Sequence, residues 1–414
     1  MQHSFEAGVT SLRPAPKTCP NTNCTPVALT MLSHMTESIS DLANALEHLT
    51  PEQHGFSYID LDHEPVAEGD LSGWIIPAKD LYDVAGMPTT FGSKARTRMA
   101  TETDDFIAAY EARGARIPGK SVSSELGLTV DAEPRDLPAV DNPIWPGHTP
   151  GGSSGGAAAM VARGLVRAAH ASDAGGSIRI PAAACGIVGY KPSADTLAVH
   201  GYLTTSVADQ AFLHQIEPRL DRKLRIGVLT TPVIAETEVQ QEYLTAVAEA
   251  AKQLADAGHE VIEVGGWPEA EVTFGHFTNL FSHRLVELEH YDYIAEWLRE
   301  KGLTVTPEQV AEAESYARAL KGKLANHWGM DVILNPTIAS DPPLTGAFTS
   351  LPPAENFAAQ ARWVPWTSLF NIAGTSAISL PWPVPGRVQP AAVHLGSLTI
   401  EDVELLALAQ QLHV

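Results

Sequence analysis

The stretch GGSSGGAAAMVARG, at residues 151–164, joins four glycines and two serines directly to a run of strong helix formers. Gly/Ser runs are typical of flexible linkers wherever nothing buries them. A linker would not continue straight into a helix, so residues 157–164 indicate an ordered loop that opens one. The sequence therefore predicts a fixed position for Ser153 and Ser154 at the start of a helix.

A second loop of small residues follows in DAGGSIRIPAAACG, at residues 173–186. Only a short helix and a strand separate the two loops, so they can face each other. Glycines next to Ser177 allow backbone conformations closed to other residues and bring amide groups close to a ligand. A tight turn without any ligand would need the same glycines. We expect an oxyanion hole formed by the backbone amides of Ala174, Gly175, Gly176 and Ser177.

A serine nucleophile needs a base, and Lys79 is the candidate that the sequence offers. Sixteen histidines are present, but none lies in a motif that marks it as the base. Lys79 ends the apolar segment GWIIPAK (73–79), and burial would favour its neutral form. Neutrality near pH 7 requires its pKa to fall by about 3 units from roughly 10.4. Taken alone, a lysine in this position is more often an exposed strand end.

Three segments resemble the amidase signature family: AKDLYDVAGMPTTFGS (78–93), PGGSSGGAAAMVA (150–162) and ASDAGGSIRIPAAACGIVGYKPS (171–193). Weaker similarity continues in DVILNPT (331–337) and FNIAGTSAISLP (370–381), so the resemblance covers roughly residues 57–414. It implies hydrolysis of an amide through a serine acyl-enzyme, without a metal or a cofactor.

The resemblance implies a Ser–cis-Ser–Lys triad. Ser177 would be the nucleophile, Ser153 the bridging serine on a cis peptide, and Lys79 the base. We expect Ser154 to support the proton relay by hydrogen bonding. Asp173 and Arg179 flank the nucleophile loop, and we interpret them as a structural clamp.

The fold class expected is α/β: one large domain at residues 36–414, with a mixed, mostly parallel central sheet covered by helices on both faces. KLRIGVLT (223–230), EYLTAVAEAAKQLADAG (242–258) and HEVIEV (259–264) form a strand, helix, strand succession typical of parallel pairing. Further helices are expected from Ile39 and over 104–115, 307–327 and 401–412, and further strands over 331–337, 375–382 and 390–396. Residues 1–35 show no periodicity, so we expect an N-terminal extension.

Composition excludes several classes of protein. Lysine and arginine number 27 against 49 aspartate and glutamate, a net charge of −22, which repels nucleic acid and anionic lipid. No apolar run is long enough to cross a membrane, and the first residues are not of signal type. Cys19 and Cys24 lack a second pair at zinc spacing, so we expect no metal and reduced thiols. We therefore expect a cytoplasmic enzyme with a small-molecule amide substrate. Similar proteins suggest that the enzyme is a homodimer.

Several alternatives stay open. An A-type amidotransferase subunit that acts in a complex, or an esterase or urethanase of the same fold, would share the motifs. GGSSG also matches the G-x-S-x-G nucleophile elbow with Ser153 as nucleophile, but that elbow needs a strand where WPGHTP (145–150) precedes it. An inactive scaffold would be expected to lack Lys79, Ser153 or Ser177, and all three are present.

The substrate pocket is not predicted by the sequence. The segment at 193–212 is shorter than is usual in the family, which makes substrate analogy unsafe. Four aromatic residues are candidates for an acyl pocket, although burial in the core is the commoner role of such residues: Trp145, Trp363, Trp366 and Phe370.

Overall fold

A computed structural model describes residues 38–289 and 293–413 of the chain. The predicted N-terminal extension at 1–35, with Cys19 and Cys24, lies outside these described residues.

The elements follow the chain in mixed succession. The strands are β1 (Phe56–Ile59), β2 (Ala78–Lys79), β3 (Pro88–Thr89), β4 (Arg98–Met99), β5 (Gly119–Ser121), β6 (Ala168–Asp173), β7 (Val188–Lys191), β8 (Val199–Thr204), β9 (Arg225–Val228), β10 (Glu260–Glu263), β11 (Val332–Pro336), β12 (Ala377–Trp382) and β13 (Ala391–Ser397). The helices are α1 (Ile39–Leu46), α2 (Pro51–His54), α3 (Asp105–Glu111), α4 (Gly155–Ala162), α5 (Arg179–Cys185), α6 (Val207–Leu213), α7 (Gln241–Asp256), α8 (Ala270–His283), α9 (Tyr293–Leu303), α10 (Pro307–Trp328), α11 (Pro353–Trp363), α12 (Thr367–Ile372) and α13 (Asp402–Ala409).

Eight strands form the central sheet, in the order β10–β9–β11–β13–β12–β7–β8–β6. Strand β9 pairs in parallel with β10 and β11. The pairings from β11 through β13, β12, β7 and β8 to β6 are all antiparallel. The expectation of a mixed sheet is confirmed, but the expectation that it is mostly parallel is wrong. Short returns join β7 to β8 and β12 to β13, and such short connections permit only antiparallel neighbours.

The predicted strand, helix, strand unit is confirmed in β9, α7 and β10. Helix α7 turns one face to the sheet, and its buried residues recur at helical spacing: Tyr243, Ala246, Val247, Ala250 and Leu254. A crossover helix of this kind returns the chain to the same end of the sheet, which is why β9 and β10 run in parallel.

Helices cover both faces of the sheet, as expected. Along β11, Val332 and Leu334 pack in the hydrophobic cluster that includes α7 and α13, whereas Ile333 packs in the cluster that includes α8, α9 and α10. Alternate residues of a strand point to opposite faces, so β11 has apolar layers on both sides. No helix among the described residues is long and apolar enough to cross a membrane.

A smaller sheet brings the predicted base to the end of the large one. Its order is β1–β5–β2, and β2 pairs in parallel with β5, with Lys79 opposite Ser121. The backbone amide of His170 on β6 donates to the carbonyl of Pro77, and the amide of Lys79 donates to His170 Nδ1. These bonds hold the short strand β2 beside β6.

Candidate active site

The first loop places Ser153 immediately before helix α4. The peptide bond between Gly152 and Ser153 is cis. Gly152 lies so close to the backbone of Asp131 that a Cβ there would overlap the Asp131 carbonyl. Only glycine fits this approach, which explains why the serine is preceded by residues without side chains. Helix α4 then begins at Gly155, as the helix-forming composition predicted.

Lys79 is fully buried at the end of β2 and reaches this loop. Its Nζ donates to Ser153 Oγ at 2.8 Å, to Ser172 Oγ at 3.0 Å and to the Ser172 carbonyl at 3.3 Å. Burial lowers the pKa of Lys79 to about 7, although the nearby Asp173 charge opposes the shift and Arg284 adds to it. A lysine with that pKa is partly neutral at physiological pH, and a neutral amine accepts a proton.

The second loop leaves β6 and presents Ser177 just before helix α5. Ser177 is 9% exposed and borders two cavities. The Gly176 backbone has φ of +127°, a conformation that glycine adopts readily. The loop therefore turns sharply at the residue before the predicted nucleophile.

The Gly176 amide is not free, in contrast to the expectation for the oxyanion hole. It donates to Asp173 Oδ1 at 2.7 Å, and the Ile178 amide donates to Asp173 Oδ2 at 3.1 Å. Because the Gly176 amide is bonded to Asp173, the expectation that it is an oxyanion donor is wrong. Gly176 anchors the loop instead. The amides of Ala174, Gly175 and Ser177 have no acceptor among the described residues.

Asp173 and Arg179 form a buried ion pair below the loop. Arg179 Nε and Nη2 donate to Asp173 Oδ2 and Oδ1 at 2.9 and 3.0 Å, and both side chains are fully buried. Asn371 donates to Asp173 Oδ1 at 2.8 Å and accepts from Arg179 Nη2 at 2.7 Å. Although burial opposes it, the Arg179 guanidinium holds the pKa of Asp173 well below its ordinary value. The pair is thus placed as a clamp would be, with no hydrogen bond to Lys79 or Ser153.

Ser154 makes a different contact from the one expected. Its Oγ donates to the Ser172 carbonyl at 3.3 Å and accepts from the Ser172 amide at 3.5 Å. It ties the first loop to strand β6 and does not touch the predicted relay directly. Ser172, which the sequence analysis did not single out, is the residue that contacts both Ser154 and Lys79.

Two cavities meet at Ser177, and both are also lined by Gly127 and Ala174. The first, of about 530 Å³, is apolar, and phenylalanines form much of its wall: Phe274, Phe277, Phe281 and Phe357. The second, of about 540 Å³, is more polar and is lined by Ser153, Ser172, Tyr82 and Arg284. Both sides of the predicted nucleophile are therefore open to a ligand.

Of the four aromatic residues named as candidates for an acyl pocket, three are part of the core. Trp363, Trp366 and Phe370 are 5%, 0% and 1% exposed, and none lines either cavity. Trp145 is half-buried and packs against His148, with ring centroids 5.6 Å apart. The aromatic wall instead comes from α8 and α11, where the phenylalanine rings of α8 follow at helical spacing with centroids 5.3 to 6.0 Å apart.

The nucleophile-elbow alternative does not fit the backbone. Residues 122–154 include a single turn of 3₁₀ helix at Glu125–Gly127 and no strand. An elbow requires a strand that leads straight into the serine turn. Ser153 therefore does not lie on such an elbow.

Within residues 38–289 and 293–413, no group of three histidine, cysteine, aspartate or glutamate side chains is placed to hold a metal ion. Cys185 is a buried free thiol whose pKa burial raises above its ordinary value.

A family model and the similar sequences all carry the description amidase. The family model described as Amidase matches residues 29–218. The protein named "Putative amidase AmiC" of Mycobacterium leprae is 32% identical over 388 residues, covering 83% of this chain and 82% of its own. The protein named "Putative amidase AmiB2" of Mycobacterium tuberculosis is 30% identical over 378 residues, covering 83% and 81%.

Solved structures of similar proteins share the fold. A crystal structure of an amidase superposes with a TM-score of 0.76 at 25% identity, covering 93% of this chain and 95% of the other. A 6-aminohexanoate cyclic dimer hydrolase in complex with its substrate gives a TM-score of 0.80 at 24% identity, covering 92% and 94%.

Proposed function

Since the chain belongs to the amidase signature family and is an amide hydrolase of that family, we propose that it cleaves a linear carboxylic amide of a small molecule to acid plus ammonia or amine. Catalysis proceeds through an acyl-enzyme on Ser177, with Ser153 as proton relay and Lys79 as base. The observation that supports this most directly is the 2.8 Å hydrogen bond between Lys79 Nζ and Ser153 Oγ in a buried site.

Acylation needs a neutral amine, and burial supplies it. The pKa of Lys79, lowered to about 7, leaves a large neutral fraction at neutral pH. The amine takes a proton from Ser153 while Ser153 takes one from Ser177, whose oxygen attacks the amide carbonyl. The proton then returns through Ser153 to the leaving nitrogen, and the C–N bond breaks.

The developing oxyanion is held by backbone amides of the second loop. Ala174, Gly175 and Ser177 remain as donors, because Gly176 donates to Asp173. One such donor typically contributes about 10²–10³ in rate. Water then attacks the acyl-enzyme by the same relay in reverse and releases the acid.

Ser177 is tested by covalent labelling and turnover together. We expect the native enzyme to hydrolyse amides from a small panel and to be labelled by a fluorophosphonate probe. Ser177→Ala is expected to lose both, with turnover falling by at least about 10³-fold. The exposed Ser350→Ala is the matched control and should change neither. Persistent turnover in Ser177→Ala would contradict the proposed nucleophile.

Two related activities are separated by the same panel. An esterase or urethanase would use the same acyl-enzyme but prefer the corresponding ester or urethane. A glutamine-specific amidotransferase would release ammonia from glutamine and ignore simple amides. The A-type subunit of a glutamyl-tRNA(Gln) amidotransferase from Thermotoga maritima shares the fold at 22% identity and a TM-score of 0.71. Relatives named as amidases favour the simple amidase among these choices.

We propose that the protein is a cytoplasmic homodimer. A cytoplasmic site of action is supported by the unpaired, buried Cys185 thiol, which suits a reducing compartment. A homodimer is proposed from the family resemblance alone, and sedimentation equilibrium of the purified chain measures it.

A further inference from the structure

Arg284 lies in the wall of the polar cavity that contains Ser153 and Ser177. It follows the last residue of helix α8 and is exposed to solvent, so a ligand in the cavity can reach it. Its guanidinium lies over the Phe281 ring, 4.1 Å from the centroid. The guanidinium is charged at neutral pH, as it is in arginine side chains generally.

The charge of Arg284 has no carboxylate partner within ion-pair distance among the residues that the structure describes. Two buried cations near the site do have carboxylate partners: Arg179 pairs with Asp173, and Lys120 pairs with Asp80. A positive charge at a helix C-terminus is favourable in itself, which could explain an arginine at the end of α8. It does not explain why the Arg284 side chain lines the cavity. An unpaired guanidinium in a partly desolvated site is suited to a carboxylate.

The position of Ser153 shows which half of an amide would face Arg284. Ser153 lines the polar cavity and not the apolar one. In the proposed relay Ser153 returns a proton to the leaving nitrogen, so that nitrogen has to lie on the polar side. The acyl group then extends from Ser177 into the apolar cavity, where Phe277 lies against Gly175.

We propose that Arg284 binds a carboxylate on the amine side of the scissile bond, and that the substrate class is N-acyl amino acids with an apolar acyl group. This inference rests on the proposed function. The Ser177 oxygen bonds to the acyl carbon, the C–N bond breaks, and the Ser177 proton passes to the amino acid nitrogen. Water then breaks the acyl–oxygen bond, so one acyl amide and one water give one carboxylic acid and one amino acid.

Kinetics with matched amides test the specificity. N-Phenylacetylglycine carries the carboxylate on the amine side, N-isobutylphenylacetamide replaces it by an isopropyl group, and 1,4-phenylenediacetic acid monoamide carries it on the acyl side. We expect kcat/KM for N-phenylacetylglycine to exceed that of each other amide by about 10-fold or more. Arg284→Gln should bring its ratio to the isobutyl amide near one, whereas Arg284→Lys keeps part of the preference.

Arg318→Gln is the matched control, because Arg318 lies on the exposed face of α10 beside Glu314 and should leave the ratio unchanged. A ratio that Arg284→Gln does not change would overturn the proposal. So would a preference for the monoamide that depends on Arg284, because it would put the carboxylate on the acyl side.

Binding to the Ser177→Ala variant separates recognition from chemistry. We expect calorimetry to show about 10-fold tighter binding of N-phenylacetylglycine than of the isobutyl amide, and Arg284→Gln in the same background to abolish the difference. That result supports the role of Arg284 even if the native enzyme hydrolyses none of the amides. Absence of hydrolysis would count against the proposed function alone. Equal affinity for both amides, or no binding of either, overturns the proposal. Thermal unfolding midpoints within a few degrees of the parent establish that Arg284→Gln is folded.

Discussion

At the residue scale, Lys79 combines two properties that a lysine rarely has together. It is fully buried, and its amine has three acceptors within 3.3 Å, of which two are serine hydroxyls. Hydroxyls can reverse the direction of a hydrogen bond, whereas carboxylates cannot. The surroundings therefore accommodate both the neutral and the charged amine, which a residue that gains and loses a proton in each cycle requires.

The pH dependence of turnover follows from this lysine. Since the neutral amine is the base and burial lowers its pKa to about 7, kcat/KM should rise with pH through about 7 and then level off. A profile of kcat/KM from about pH 5 to 9 measures this rise on the acidic side. Lys79→Met should abolish turnover while leaving a folded protein. If Lys79→Met kept the same pH–rate profile, or if kcat/KM of the native enzyme rose with a pKa well below 6, Lys79 would not be the base.

The three residues of the predicted triad could be named from the sequence because they lie in the segments that resemble the amidase signature family. Ser172 and Arg284 could not, because nothing near either residue in the chain distinguishes it from ordinary strand and helix-end positions. Ser172 becomes informative only when strand β6 is placed beside Lys79. Arg284 becomes informative only when the end of α8 is placed beside Ser153.

At the scale of elements, the turn before Ser177 depends on one glycine. A Cβ on Gly176 would overlap Thr367 Oγ1 and Ile180 Cδ1, and its φ of +127° is unfavourable for other residues. The side chain of Thr367 also donates to the Gly175 carbonyl at 2.7 Å. The loop is therefore fixed by helix α12 as well as by its own sequence.

Gly176→Ala should accordingly disrupt both folding and function. We expect a loss of stability of about 2 kcal/mol or more, from strain and overlap together, and a fall in kcat of at least about 10²-fold. Chemical denaturation and amide turnover measure the two effects. Gly275→Ala, on α8 with open space around it, is the control and should stabilise the protein by about 0.5–1 kcal/mol. Equal behaviour of the two variants would contradict the account of the loop.

Several helices and strands were predicted close to their observed positions, but the directions of the strands were not. Periodicity placed the strand, helix, strand unit of β9, α7 and β10 close to its observed bounds. Strand direction depends on how the chain returns between strands, and apolar strands such as β12 and β13 look alike in either direction. The phenylalanines of α8 escaped notice for a related reason, because an apolar helix face has the same pattern whether it packs on a core or lines a cavity.

At the scale of the whole molecule, buried titratable groups shape stability over the alkaline range. Burial lowers the pKa of both Lys79 and Lys191 to about 7 and lowers that of Lys120. Between about pH 7 and 10 the unfolded chain therefore binds more protons than the folded one, so stability rises with pH. Burial raises the pKa of Tyr243 and Tyr190. Above about pH 10 the unfolded chain loses those protons first, so stability falls.

We therefore expect a stability maximum between about pH 9 and 10. Guanidinium denaturation at about pH 7, 9.5 and 11 should give its highest midpoint at the middle value, with each lysine contributing up to about 1.4 kcal/mol per pH unit. Lys191→Met removes one contribution and should flatten the rise. A midpoint that falls steadily from pH 7 upward would show that these lysines stay protonated inside the folded protein.

The phenylalanine wall of the apolar cavity comes from parts of the chain separate from those that carry the proposed catalytic residues. Lys79, Ser153 and Ser177 lie on β2 and on two loops anchored to β6, whereas the phenylalanine wall lies on α8 and α11. Libraries that vary Phe274 and Phe357, both half-buried, can therefore reshape the acyl preference with little disturbance to the proton pathway. New specificities are accessible in this scaffold through the replacement of a few aromatic rings, in the laboratory or over evolutionary time.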